Sequence, residues 1–302
     1  MPNTDKPDSF ANYWLETLNE LSGIPSAPQI EEVPLRSTEF ATAYTVQLTS
    51  IGPYRIFGHL SIPNGTGPFP TRYYIPKYGS VVELIPQGAA NALRQQYITF
   101  TIGFRGLRGS DQPLAATFPG LFTLNITNPT TYIYRSIIAD CYRGLQYLAG
   151  RPDVDTGRMV AIGNDLALIT AALSPTITHV VCTPILFHDT LNQASRTNAY
   201  PLQEINDYIR LYPSAKDAVY ETLSFFDLRS FAPQISATTL IMGDADGELF
   251  DYDALKPLLD AFSGKTTLHK GEHSSYKDGL FSEQWMTSQF DLAKPILPEH
   301  WT

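Results

Sequence analysis

The spacing of apolar residues changes period repeatedly along the chain. Residues 9–21 place Phe10, Trp14, Leu15, Leu18 and Leu21 at helical intervals before Gly23 and Pro25, which predicts an N-terminal helix. Two strand-like runs, 44–48 and 54–62, flank Ser50-Ile51-Gly52-Pro53, whose Gly-Pro step predicts a turn and so an antiparallel hairpin at one edge of a sheet. Runs over 71–75, 97–104, 158–162, 179–183, 238–242 and 266–269 predict six further strands. Residues 132–148 have helical spacing, and 166–173 is apolar throughout, as expected of a buried helix.

Strand and helix periods alternate, which predicts an α/β fold with a mostly parallel central sheet flanked by helices. Residues 187–227 break the alternation with polar, tyrosine-rich, helix-prone sequence. They are expected to be an insertion over the strand ends that shapes a substrate pocket. No repeat or linker divides the chain, so residues 1–302 are expected to form a single domain.

Composition narrows the function classes. The chain has 302 residues, of which 43% are hydrophobic, enough for a full-sized core. A net charge of −9, with no cluster of Lys and Arg, argues against a nucleic-acid partner and favours a small neutral or cationic substrate. The longest run free of strong polar residues, 166–173, is far short of the roughly 20 residues that span a bilayer. Residues 1–8 carry neither a basic nor an apolar signal segment, so a cytoplasmic location is expected. Cys141 and Cys182, in a helical and a strand-like pattern, are expected to be buried free thiols.

The candidate chemistry centres on Gly163-Asn164-Asp165-Leu166-Ala167, between a predicted strand and a predicted helix. In the α/β-hydrolase fold this turn reads Gly-x-Ser-x-Gly, and acid and histidine follow in that order. Here Asp165 takes the place of the nucleophile, Asp246 follows the strand 238–242, and His273 follows the strand 266–269. Asp246 is favoured over Asp244 by spacing. The plainer readings are that Asp165 only caps a helix and that Asp246 belongs to a solvated Asp-Gly turn. His269 and His273 form His-x3-His, but the intervening glycine opposes a helical metal site, and no metal or cofactor is expected. His188, beside Asp189, is a secondary pocket candidate.

The order and spacing of many short matches resemble the acetyl xylan esterase and cephalosporin C deacetylase family of α/β-hydrolases. They include Phe10 with Tyr13-Trp14, the run 55–60 with Pro63, and Phe104-Arg105-Gly106 with Gly109-Ser110. They continue through Tyr132, Tyr134-Arg135, Asp140, Arg143, Val154-Asp155, Arg158, the run 223–227, Phe231-Ala232, Gly243, Asp246 and His273. The family's elbow, Gly-Gly-Ser-Gln-Gly, sets Asp165 on the serine, Leu166 on the glutamine and Ala167 on a glycine. Its oxyanion loop, His-Gly-Tyr, matches Pro76-Lys77-Tyr78 at the tyrosine alone. The resemblance implies that the backbone amides of Tyr78 and Leu166 are the oxyanion donors. Family members remove acetyl groups from sugars or cephalosporins, and for this chain the resemblance implies a narrow pocket for a small-molecule substrate and a homo-oligomer.

An aspartate does not do a serine's chemistry. Attack on carbon by Asp165, with His273 oriented by Asp246 to activate water, is one expectation, and cofactor-free acid/base chemistry is a close variant. Tyr78, Tyr132 and Tyr134 are candidate proton donors, and Asn164 lies beside the site. Two alternatives stay open: an inactive homologue that serves as a binding or assembly module, and weak acetyl-ester hydrolysis by water that His273 activates.

Overall fold

The computed structural model describes residues 6–79, 82, 85, 91–184, 186–243, 252–272, 274–292 and 295. Among the described residues the strands are β1 (Gln29–Glu32), β2 (Ala41–Ser50), β3 (Tyr54–Pro63), β4 (Phe69–Tyr74), β5 (Ile98–Gly103), β6 (Val154–Gly163), β7 (His179–Cys182), β8 (Thr238–Gly243) and β9 (Thr266–Lys270). The described helices are α1 (Phe10–Ser22), α2 (Asn91–Gln96), α3 (Ile133–Ala149), α4 (Asp165–Leu173), α5 (Thr190–Ala194), α6 (Gln203–Leu211), α7 (Lys216–Ser224), α8 (Leu228–Phe231), α9 (Tyr252–Asp260) and α10 (Ser275–Gln289).

The strands form one sheet in the order β1-β2-β3-β5-β4-β6-β7-β8-β9. The pairs β1/β2, β2/β3 and β3/β5 are antiparallel, and every pair from β4/β5 onward is parallel. The hairpin predicted at the edge is real, with Ser50 opposite Tyr54, but β1 lies outside it. That strand escaped sequence reading because its four residues, Gln-Ile-Glu-Glu, are all exposed and carry no alternating apolar face. The helix α3 does connect β5 to β6, and β4 sits between those two strands.

Inner strands are covered on both faces, so their residues alternate between two cores rather than between core and water. Met159 and Ala161 of β6, Val180 and Cys182 of β7 and Ile241 of β8 join the large core with α1, α3 and α4. Val160, Val181 and Leu240 join a second core with Trp285, Met286 and Phe290 of the α10 region. Both cysteines are buried free thiols. The second face is pinned by Arg72 of β4, which is 2% exposed and makes a two-pronged ion pair with Glu283 of α10 at 2.6 and 2.8 Å. Its guanidinium also lies 4.3 Å from the ring centre of Tyr97.

At the other end of the chain sequence, α1 closes the large core with aromatic side chains. Trp14 packs edge-on against Phe226, Phe10 packs against Phe231, and the Trp14 indole donates to the Phe225 carbonyl at 3.0 Å. Residues 187–227 carry the helices α5 to α7, as the irregular sequence there suggested. Among the described residues no helix is long and apolar enough to cross a membrane.

Candidate active site

The carboxyl ends of β4, β5 and β6 surround an open cavity of about 120 Å3, lined by Ile75, Pro76, Lys77, Thr101, Ile162 and Gly163 among others. Such strand ends are where open α/β sheets bind ligands, because the loops that follow diverge there. Gly163 closes β6 at this point for a steric reason. A Cβ on it would stand 2.7 Å from the Ile75 carbonyl oxygen, a backbone atom that cannot swing aside. The same absent Cβ would be 3.5 Å from the Ala167 methyl, an ordinary contact, so alanine fits where the elbow pattern asks for a second glycine.

Asn164 is the N-cap of α4, with φ −114° and ψ −149°, and Asp165 is the helix's first residue. Neither has a positive φ. The strained backbone expected of a nucleophile elbow is therefore absent, and the chain enters α4 in a relaxed conformation. Asn164 is buried, its side chain caps nothing, and its Oδ1 has no partner among the described residues.

Asp165 is 1% exposed. Its Oδ2 accepts the Leu186 amide at 3.0 Å and its Oδ1 accepts the Phe187 amide at 2.9 Å. A helix N-terminus and two aimed N–H groups suit negative charge. The carboxylate thus faces the segment that follows β7. Leu166, next in the helix, has its amide in the first turn, where intrahelical acceptors are lacking.

Two of the tyrosine candidates, Tyr132 and Tyr134, are packed into the core. Tyr132 is fully buried and its hydroxyl donates to the Phe122 carbonyl at 2.8 Å. Tyr134 lies beside it, 5.6 Å between ring centres. Burial pushes both phenols well above their usual range, and for Tyr134 the nearby Asp165 charge adds to the rise. Burial raises the Cys182 thiol too; Asp165 raises it further and Lys77 opposes. His188 is buried, while its neighbour Asp189 turns to Arg229 at 3.3 Å and to Asn192 at 3.0 Å.

Asp246 and His273, with Asp244, lie outside the described residues. The segment flanking His273 is held on both sides. Asp278 accepts the Glu272 amide at 3.1 Å and bonds His269 Nε2 at 3.0 Å, and Ser274 caps α10 by accepting from Lys277. Burial alone would raise the Asp278 carboxyl. The bond to His269 and the backbone of Glu272 and Ser274 outweigh that and hold it below the usual carboxylate value. The His269 ring stacks on Phe281 at 4.0 Å.

Sequence reasoning missed Lys77 as a cavity residue and missed the buried carboxylate of Glu204. Tyr78 and Glu204 are hydrogen-bonded, and Glu204 also accepts the Phe122 amide at 2.9 Å. Contacts that join residues 82 and 126 positions apart leave no local pattern to read.

A mostly parallel sheet with helices on both faces and the β4/β5 exchange in strand order define an α/β-hydrolase fold. Residues 1–247 match the family model described as acetyl xylan esterase (AXE1), and the chain belongs to that family. Among solved structures it is similar to acetyl xylan esterase 1 from a Thermoanaerobacterium species, with a TM-score of 0.84 and 19% identity over 95% of this chain and 96% of that one. It is likewise similar to the acetyl xylan esterase of a Paenibacillus species, with a TM-score of 0.82, 21% identity and the same coverage. At these identities the likeness is one of fold. The acetyl esterase Axe7A of Xylanibacter ruminicola is 23% identical over 254 residues, which are 80% of this chain and 56% of that protein. The chain spans about half the length of that curated relative.

Proposed function

We propose that this protein binds a small neutral acylated ligand, of the kind named for its family, over the ends of β4 to β6 without forming a covalent intermediate on Asp165. The observation that carries this reading is the capture of both Asp165 oxygens by the consecutive amides of Leu186 and Phe187. An aspartate nucleophile must present one oxygen toward the reacting carbon at about 3–3.5 Å. Here each carboxylate oxygen accepts a backbone amide, and Asp165 is not among the residues that line the cavity. The relaxed elbow backbone supports the same reading. The serine hydroxyl of the family pattern has become a tie between two loops.

On this reading residues 1–302 act as one domain, the insertion 187–227 covers the ligand, and the amides of Tyr78 and Leu166 polarise a carbonyl of the ligand without catalysing its hydrolysis. Asp246 and His273 would then form an ion pair that helps to shape the pocket.

Calorimetric titration with acetylated xylo-oligosaccharide, followed by acetate assay and intact-mass measurement, tests the proposal. Binding with no added mass, and with no acetate release beyond that of Asp165→Asn, is the expected result. Acetate release that disappears in Asp165→Asn, or ¹⁸O from labelled water entering Asp165, would overturn it in favour of aspartate chemistry.

A further inference from the structure

Glu204 joins three segments that are distant in sequence. It sits on α6 within the insertion and is 1% exposed. One oxygen, Oε1, is bonded to the Tyr78 hydroxyl from the loop after β4, and the other, Oε2, accepts the Phe122 amide at 2.9 Å from the turn Leu121–Thr123. The turn is shaped around it. A Cβ on Gly120 would lie 2.5 Å from both Glu204 carboxylate oxygens, so this residue must be glycine for the carboxylate to reach the Phe122 amide. Tyr78 is one residue from Lys77, which lines the cavity.

We propose that Glu204 is a positioning residue which seats the Tyr78 ring from the insertion, and that gain or loss of its proton switches the Tyr78 hydroxyl between donor and acceptor, so that this loop responds to pH. This goes beyond the ligand-binding reading and does not depend on it.

The groups around the carboxylate support the switch. Tyr78 and Lys77 come from the loop, and the turn 120–123 brings no titratable side chain. The helix α5 and the turn Pro213–Ala215, which both pack on α6, carry no charge. On α6 itself the neighbour is Asp207, which is paired with Arg210 at 2.9 Å and accepts from Tyr200 at 3.0 Å. Burial raises the Glu204 carboxyl, the Phe122 amide opposes, and the Asp207 charge adds to the rise, which takes it to about 7. When ionised, Glu204 accepts from both Phe122 and Tyr78. When protonated at Oε1, it donates to the Tyr78 oxygen, and the phenol must turn its own proton elsewhere. The chemistry is one proton exchanged with water, with no other bond made or broken.

The test uses the whole chain with 3-fluorotyrosine at its tyrosines and 19F NMR between about pH 5 and pH 9, bracketing the expected midpoint. The Tyr78 resonance is the one that disappears in Tyr78→Phe. It is expected to shift with a single inflection near pH 7 that is absent in Glu204→Gln. Glutamine preserves the packing, with Oε1 on the Phe122 amide and Nε2 donating to Tyr78. A flat Tyr78 resonance, or an inflection that persists in Glu204→Gln, overturns the proposal. Should Glu204→Gln not fold, 13C-carboxyl glutamate in the unsubstituted protein decides: a carboxyl that titrates with the same midpoint as Tyr78 supports the coupling, and different midpoints refute it.

Discussion

The Asp165 carboxylate and the Phe187 amide lie 2.9 Å apart, so the first residue of α4 is bonded to the first residue of the predicted insertion. With the adjacent Leu186 amide on the other oxygen, this contact fixes the segment between β7 and α5 to the top of the sheet. An acidic residue at the elbow thereby has a mechanical role that a serine cannot fill, because the two amides are met by two separate carboxylate oxygens and the shorter serine side chain carries one oxygen, a bond closer to the backbone.

Asp165→Ser is therefore expected to destabilise the fold by about 2–4 kcal/mol, because it leaves at least one buried amide unsatisfied. Asp165→Asn keeps one acceptor and should cost about half as much. Urea unfolding checks both. Equal stability of all three proteins would show that the tie contributes nothing.

Gly163→Ala should lower stability by about 1–3 kcal/mol, since the added methyl meets the Ile75 carbonyl oxygen at 2.7 Å. Ala167→Gly, at the second elbow position, should cost only about 1 kcal/mol through helix propensity. Thermal unfolding of the two variants measures the difference.

Arg72 and Glu283 couple β4 to α10. Glu283→Ala strands a buried guanidinium and is expected to cost about 3–5 kcal/mol. Joint replacement, Arg72→Met with Glu283→Leu, should restore most of that. A double-mutant cycle by denaturant unfolding reads the coupling directly.

Glu204 sets a pH dependence whose sign can be worked out. Its folded-state value, about 7, lies above the ordinary carboxyl value of 4.5. Between those values the folded chain binds more protons than the unfolded one, so its contribution is fully present below about pH 4.5 and is lost as pH rises through about 7. The loss is at most about 3 kcal/mol. Glu204→Gln removes it, so the variant should gain Tm relative to the original protein at pH 8 and not at pH 4.5. Paired melting curves at the two pH values test this.

Much of the scaffold was legible because strand and helix declare themselves locally. The run 166–173 announced a buried helix, and Met159-Val160-Ala161 read as a buried strand because both of its faces are covered. The elbow could be located by its strand, glycine and helix. What Asp165 does there was illegible, because its partners are backbone amides 21 and 22 residues away that carry no side-chain signature. Tyr132 and Tyr134 looked like proton donors near a pocket, yet large aromatic rings at the start of a predicted helix equally suited the core, where the structure puts them. Glu204 sits in a polar segment that reads as surface, and only the tertiary fold buries it.

The anchoring of α1 governs the order in which the molecule can be assembled. Trp14 finds its carbonyl acceptor 211 residues downstream, and Phe10 and Trp14 rest on rings contributed by residues 226 and 231. During synthesis α1 must wait, with its apolar face uncovered, until the segment that carries Phe225, Phe226 and Phe231 has been made. Chaperones that shield nascent chains therefore have a long window in which to act on this segment, and removal of α1 would open the large core.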